Sequence, residues 1–392
     1  MLTFRQTRFA AYIGYVTQAI VNNLAPLLFV TFSRDFSLSL DKISLLITLN
    51  FGVQILTDLA AAKLLRTIGY RTACVAAHIF AAVGLMGYSV LPFVLPPYVG
   101  LALSGMLCAV GGGLDEVVIS PVVEAIPSDA KSAEMSLLHS FYCWGQMLVV
   151  IGSTAFFSLA GLEKWRYLPC LWAVIPALNA VLFGFVPIRT LEENGGGSLS
   201  IREMLKDRAF WLFCVVMVSA GASELAMSQW ASLFAEEGLH VSKTIGDLLG
   251  PCAFALLMGV TRTVYGFFGQ RMDLRRVILG SGFLCVLCYL VATLAQDPMI
   301  ALIACACCGL TVGIMWPGTY SLATQYFPCG GASMFAMLAV AGDIGCTSGP
   351  TIAGFIGNAA GSIRIGMLAA AVFPLCLSIA LLRIRKGTSE QK

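Results

Sequence analysis

Two neighbouring carboxyl residues, Asp115 and Glu116, lie in an apolar stretch of the sequence, GGGLDEVVISP. A charge at the centre of a bilayer costs roughly 2.5–3.5 kcal/mol on insertion scales, so such a residue usually faces a cavity or a partner. Successive helical residues point about 100° apart, so the two groups cannot both face one cavity centre. Glu116 shares its helical face with Gly112 and Ser120. We therefore predict that Glu116 exchanges protons in a central cavity, while Asp115 faces neighbouring helices or a cation.

Four further charged residues within apolar segments, Asp58, Glu224, Arg262 and Asp343, extend this pattern. Arg262 is the one base among the four, and a lone deep cation must be paired or hydrated. We predict a charge network with coupling and gating roles on the cytoplasmic side, formed by Asp58, Asp115, Glu116, Arg262 and Asp343. A static tether is the alternative to a gate. Asp343 could instead coordinate a cation with Thr347, and Asp343 and Glu224 are alternative proton-coupling groups.

Polar residues at helical spacing could bind a hydroxyl-rich ligand, which needs many donors and acceptors. His139, Tyr142 and Gln146 are spaced i, i+3 and i+7 on one face. Asn50 and Gln54 also share a face, but hydrogen bonding between helices explains them better. Tryptophan rings could stack on a sugar, although a tryptophan in a span is more often packed or faces lipid. The predicted substrate-binding residues are Gln18, Asn22, His139, Tyr142, Gln146, Glu224, Gln229, Trp230 and Trp316.

The composition places these residues in a membrane protein. Of 392 residues, 58% are hydrophobic and 11% charged, with a mean hydropathy of +0.85, against about 25% charged in soluble domains. The net charge of +3 is too small, and the basic residues too scattered, for a nucleic-acid partner. The 14 cysteines fall mostly in apolar runs, where a thiol acts as a small hydrophobe, so we expect no disulfides, metal site or cofactor.

Twelve apolar segments are each long enough to span a bilayer, which takes about 20 residues. The first is too long for a signal peptide and should be retained. Most Lys and Arg residues fall in the loops on the side of both termini, so the positive-inside rule places both termini in the cytoplasm. The predicted spans are 9–33, 43–66, 72–92, 97–122, 133–159, 166–188, 209–235, 244–268, 276–296, 298–322, 331–358 and 362–383.

A polar, glycine-rich interruption, RTLEENGGGSLSIREMLKDR, lies at the midpoint and predicts a cytoplasmic linker, 189–208. It separates two six-helix bundles, 1–188 and 209–392, the second with a short cytoplasmic tail. Loop motifs recur between the halves at nearly constant separation: SRDFSLSLDKI resembles FAEEGLHVSKTI, and EAIPSDAKSA resembles TQYFPCGGAS. The chain is therefore interpreted as a parallel duplication, as in transporters whose two bundles enclose a central site.

The duplicated twelve-span pattern resembles the major facilitator superfamily. GVTRTVYGFFGQRMDLRR keeps the glycine and arginine positions of the superfamily's loop signature, including Arg262. The corresponding stretch of the first half, AAKLLRTIGYR, has Arg66 and Thr67 where Asp-Arg would be expected. The resemblance implies an all-α membrane protein with twelve transmembrane helices in two pseudo-symmetric bundles.

Several motifs are similar to the fucose permease-like branch of proton-coupled sugar symporters. GGGLDEVVISP resembles the branch's span 4 element, with Glu116 at the acid position, and LLHSFYCWGQ, SELAMSQW and GLTVGIMWPGTYSLA resemble elements of spans 5, 7 and 10. The branch's acid in span 1 is replaced by Asn22 and Asn23, and Asp343 stands where a small neutral residue would be expected. The coupling chemistry should therefore differ from that of the branch.

The resemblance implies a secondary active transporter that imports a small polar solute, sugar or sugar-like, by proton symport with alternating access. The alternative is proton-antiport efflux of drugs or metabolites, because a fold does not fix a function. We expect a monomer in the cell membrane, whose partners are the substrate, the lipid bilayer and a proton or a sodium ion. The sequence shows no nucleotide loop or nucleophile constellation, so we do not expect an enzyme.

Overall fold

The fold is known from a computed structural model that describes residues 3–127, 131–189, 201–268, 273–327 and 331–384. Within these ranges the chain is almost entirely helical and has no β-strand. Eleven described helices are long and apolar enough to cross a membrane, and Gly331–Ala360 coincides with the remaining predicted span. The helices α1 to α12 are Phe4–Phe36, Leu40–Ala61, Thr67–Val94, Pro97–Val123, Leu137–Ala160, Leu162–Phe185, Arg208–Gly238, Lys243–Tyr265, Leu274–Leu294, Pro298–Tyr326, Gly331–Ala360 and Ile363–Arg383. The predicted all-α membrane fold is confirmed.

The helices form an N half (α1–α6) and a C half (α7–α12). Successive helices alternate in direction, so α1 begins, α6 ends, α7 begins and α12 ends at one end of the molecule, called the linker end. The opposite end is called the far end. Most of the predicted linker 189–208 lies outside the described residues, and the short helix Ile201–Met204 falls in its amphipathic part.

Three helices depart from regular α geometry near the far end. In α1 the segment Ala25–Leu28 tightens into a 3₁₀ turn, where Pro26 has no N–H to donate. The end of α7, Phe234–Gly238, is a π-helical turn. A second π-helical turn in α8, Leu248–Cys252, contains Pro251. Such irregular turns commonly occur at functional sites.

The connection between α2 and α3 has no loop. The chain stays helical from Leu40 to Val94 except at Gly69, which lies just inside the start of α3 and has a φ of 76°. That left-handed conformation carries little penalty for glycine because it lacks a Cβ. A single residue therefore reverses the direction of the chain.

Glycines let helices of the C half pack backbone to backbone. A Cβ at Gly345 of α11 would overlap the Val218 carbonyl oxygen of α7, and one at Gly349 would lie 2.6 Å from the Ala222 carbonyl oxygen. Small residues allow this close approach, which supplies much of the packing between membrane helices.

The two halves meet through α2 with α11 and through α5 with α8. The hydroxyls of Thr48 and Thr351 are 2.5 Å apart across the first contact. Nearer the far end, the Ser44 hydroxyl lies against Gly354 so closely that no Cβ would fit between them. The halves are thus in direct contact in the part of the molecule away from the linker end.

Candidate functional site

Three carboxyl groups from three helices meet inside the molecule, and they are called the carboxyl cluster. Asp58 of α2, Glu116 of α4 and Asp343 of α11 each place one oxygen within 4.8 Å of the others. Asp343 is only 6% exposed, and the other two are half-buried. Two members belong to the N half and one to the C half, so the cluster joins the halves.

Like charges this close cannot all remain ionised without a compensating proton or cation. Carboxylate oxygens are also the ligands that hard cations prefer. The sequence predicted no metal site, and a set of three oxygen donors was not anticipated because they come from distant parts of the chain. The cluster can therefore hold either shared protons or a cation.

Two amide side chains hold Glu116 in place. Gln18 of α1 and Gln54 of α2 each donate an Nε2–H to Oε2 of Glu116 at 2.8 Å. Gln18 was predicted to bind substrate, whereas the structure places its amide on the carboxyl cluster. Gln54 was interpreted only as a link between helices; its i, i+4 spacing from Asp58 was the signal that could have included it in the site.

Asp115 lies apart from the cluster, although it is next to Glu116 in sequence. Its side chain is fully buried in the N half, and Oδ1 is 3.3 Å from Nδ1 of His78 on α3. The other ring nitrogen of His78 is 2.7 Å from the Asn179 amide. Of the two predicted surroundings of Asp115, neighbouring helices or Arg262, the structure agrees with the first, because Asp115 faces α3 within its own half.

Arg262 pairs with Glu224 inside the C half. Its Nη2 lies 3.2 and 3.1 Å from the two carboxylate oxygens of Glu224. The predicted partners Asp58, Asp115, Glu116 and Asp343 were thus wrong for Arg262. Those acids were predicted because they lie at a similar depth in the membrane. However, α7 packs beside α8, and this packing places Glu224 next to the guanidinium group. Glu224 is 7% exposed.

Asn22 and Gln229, two of the predicted substrate-binding residues, meet across the halves. Gln229 donates its Nε2–H to the Asn22 main-chain oxygen at 3.0 Å. The two side chains line one pocket together with Asn50, Tyr88 and apolar residues of α1 and α2. The side-chain oxygen of Asn22 is buried without a hydrogen-bond partner. A water molecule or a ligand hydroxyl would satisfy this acceptor.

The predicted polar face of α5 points toward both α1 and α7. The Tyr142 hydroxyl accepts a hydrogen bond from Asn23 Nδ2 at 3.3 Å, and Gln146 donates to the Ser228 hydroxyl at 2.9 Å. The ring of His139 is exposed and meets the Tyr15 ring edge-on with centroids 5.0 Å apart. An exposed imidazole beside a buried tyrosine indicates a water-accessible space between the helices.

The two predicted tryptophans differ in accessibility. Trp230 has no exposed surface, and its Nε1–H donates to the Pro350 carbonyl oxygen at 2.8 Å. This placement contradicts the prediction that Trp230 stacks on a sugar, because the ring is packed among Phe29 and α11. Trp316 is half-buried, with its ring centroid 6.4 Å from that of Tyr320, so part of its side chain remains accessible.

Sequence comparison identifies the class of protein that has this fold and site. The family model of the Major Facilitator Superfamily matches residues 11–330 and 237–392, so the chain belongs to that superfamily. It is a multi-pass membrane transporter and not an enzyme. No curated protein matches the sequence.

Solved structures of sugar symporters share the fold. The E. coli fucose:proton symporter FucP is 15% identical with a TM-score of 0.67, over 97% of this chain and 98% of that chain. A D-xylose-proton symporter is 12% identical with a TM-score of 0.78, over 98% of this chain and 97% of that chain. At these identities the likeness concerns the fold alone.

Proposed function

We propose that this transporter moves a small polar solute, sugar or sugar-like, by proton-coupled symport in the cell membrane. The observation that carries the proposal is the carboxyl cluster, because it brings together three carboxyl groups, from both halves, that can share protons. The likeness of the whole chain in fold to a fucose:proton symporter and a D-xylose-proton symporter supports the same interpretation. The halves correspond to 1–188 and 209–392, joined by the linker 189–208.

The cluster couples protons to movement because its members belong to different halves. If the halves rock about a central site, Asp343 moves relative to Asp58 and Glu116. Ionised carboxylates repel at short range, so protonation should favour the arrangement in which their oxygens lie within 4.8 Å. Proton release should favour an arrangement in which Asp343 has moved away. A proton gradient can then drive the conformational cycle.

The substrate is expected to bind between the halves, where polar groups of both converge. Asn22 and Gln229 are expected to contact the substrate from the pocket that they line. His139, Tyr142 and Trp316 are expected to contact it from the water-accessible space between the helices. With both termini in the cytoplasm, the far end faces the outside, and the described state is closed to the outside. This orientation follows from the distribution of basic residues.

The test is transport by purified protein in liposomes. A thermal-shift screen of sugars, polyols, amino acids and drugs first identifies a ligand. Glu116→Gln keeps the shape of the side chain and mimics its protonated form, so we expect loss of accumulation driven by a pH gradient and retention of substrate exchange. Glu237→Gln, at an exposed carboxyl group on the far end, serves as the matched control and should behave as wild type.

Each other outcome has a defined meaning. Accumulation by Glu116→Gln at the wild-type level contradicts the coupling role, and loss of exchange as well makes Glu116 a substrate ligand. Accumulation that follows a sodium gradient, with choline as the replacement ion, identifies sodium as the coupling ion. Substrate accumulation that requires a proton gradient directed out of the liposomes, and not into them, identifies antiport.

A further inference from the structure

One lysine makes a short polar contact between the halves at the far end. Lys243 begins α8 in the C half, and its Nζ donates to the Leu27 main-chain oxygen of α1 at 2.6 Å. We propose that Lys243 is a latch that holds the far end closed and thereby sets which side of the membrane the substrate site faces. The proposal requires only that the two halves can separate, and it does not depend on which solute or ion is carried.

The acceptor lies at the break in α1. Leu27 belongs to the 3₁₀ turn Ala25–Leu28, whose hydrogen bonds join residues three apart instead of four. At a helix break the regular series of hydrogen bonds within the helix is interrupted, so carbonyl groups become available to outside donors. A lysine ammonium is suited to such an acceptor because it carries three donors on a flexible chain.

Phe157 of α5 gives Lys243 a second partner in the N half. Its ring centroid is 5.3 Å from the Nζ of Lys243, which is within the range of a cation–π attraction. One cation from the C half therefore contacts both α1 and α5 of the N half. Separation of the far ends must break both contacts.

The remaining partners of Lys243 lie in its own half. Nζ is 3.0 Å from Oε1 of Glu236 and 3.0 Å from Oδ2 of Asp247. Asp247 is fully buried, and its Oδ1 accepts a hydrogen bond from Ser232 at 2.5 Å. Because these acids move with Lys243, the charge stays paired when the far end opens.

This arrangement distinguishes a latch from a structural ion pair. Opening leaves the lysine with two carboxylates and exposes the Leu27 carbonyl group to water, which replaces the lost donor. The latch is therefore reversible, and its removal should change the balance between the open and closed states by about tenfold, as expected for one charge-assisted hydrogen bond.

The experiment measures the far-end distance between the halves. Genetically encoded spin labels at Lys164 in the N half and Asn358 in the C half leave the cysteines unchanged, and pulsed electron resonance gives the distance distribution. Lys243→Met should increase the population with separated far ends about tenfold. The control, Lys164→Met, removes an exposed lysine at the same end. It is compared with the wild-type protein when both carry their labels at Arg166 and Asn358, and the two distributions should be the same.

A second pair of variants addresses folding. Lys243→Met leaves Glu236 and Asp247 without their cation, so the combined variant Lys243→Met, Glu236→Gln, Asp247→Asn removes the latch without an unpaired charge. Phe157→Leu removes only the aromatic ring. It should also increase the population with separated far ends, by a smaller factor than Lys243→Met. Unchanged distributions in both the combined variant and Phe157→Leu would overturn the proposal, whatever their transport activity.

Discussion

At the residue scale, the Arg262–Glu224 pair shows how the chain keeps a guanidinium group inside the membrane. The two groups are 3.1 Å apart and largely withdrawn from solvent. Breaking such a pair by removing one partner leaves an uncompensated charge, whereas replacing both partners is far less damaging. The pair therefore provides a test of folding energetics that is separate from transport.

We expect Arg262→Met to lower the free energy of unfolding by roughly 3–5 kcal/mol, because Glu224 would remain buried and unpaired. Arg262→Met combined with Glu224→Gln should recover most of that loss. Thermal unfolding of the purified proteins in detergent checks both. A double variant no more stable than the single one would contradict this account of the pair.

Asp343 allows a separate test of the carboxyl cluster. In the wild type, acidic pH should favour the far-end-closed state, since protonation removes the repulsion among the clustered oxygens. Asp343→Asn removes one ionisable group, so we expect this state to persist into alkaline pH. Distances between labels at the far end, measured over a range of pH, provide the check, with Glu237→Gln as the control. If Asp343→Asn responds to pH as the wild type does, the carboxyl cluster does not control this equilibrium.

The sequence predicted which polar residues lie inside the membrane but not how they pair. Insertion cost identifies Asp58, Glu116 and Asp343 individually, because each interrupts an apolar segment. Their meeting depends on how α2, α4 and α11 are rotated about their axes. The same limit explains Arg262, for which depth suggested the wrong acids.

At the element scale, glycines decide how closely α7 and α11 approach. Gly345 lies against the Val218 backbone, with no room for a Cβ. Gly52 of α2 has open space around it. The two positions are a matched pair, because both are glycines within membrane helices and only one makes a helix contact.

We expect Gly345→Ala to destabilise the protein by roughly 1–3 kcal/mol, the usual range for overpacking a close contact. Gly52→Ala should leave stability unchanged or raise it slightly, since alanine favours the helix. Thermal unfolding in detergent distinguishes them. Equal unfolding temperatures for the two variants would show that α7 and α11 can separate without loss.

Helix positions were predictable from apolar run length, and the predicted span 209–235 lies within the observed Arg208–Gly238. The irregular turns were not predicted, because a run of apolar residues does not reveal its hydrogen-bond pattern. Pro26 was a visible signal for the break in α1. The π-helical turn Phe234–Gly238 contains no proline, so nothing comparable marked it in the sequence.

At the scale of the whole molecule, α11 serves both halves. Its Gly345 and Gly349 pack against α7 in the C half, while Gly354 packs against Ser44 of the N half. The last contact exists only while the far ends are together. The duplication and the two halves could be predicted from recurring loop motifs, but which end is closed could not, since that depends on contacts between side chains of different halves.

We expect Gly354→Ala to shift the protein toward the far-end-open state, roughly tenfold, because the added methyl group overlaps the Ser44 hydroxyl and the Trp230 ring. Spin labels at Lys164 and Asn358 report the shift. Gly354→Ala combined with Ser44→Gly should restore part of the closed population. A distribution that matches wild type in Gly354→Ala would show that α2 and α11 do not control closure.

The single-residue reversal at Gly69 bears on how the protein is made. Because only a short helical stretch that includes the basic Lys63 and Arg66 separates α2 from α3, the two helices are held close together from the moment both have been synthesised. They should leave the ribosome and partition into lipid as one helical hairpin, each shielding the other's polar atoms during insertion. Biogenesis, and not only the finished fold, then depends on a glycine at this position.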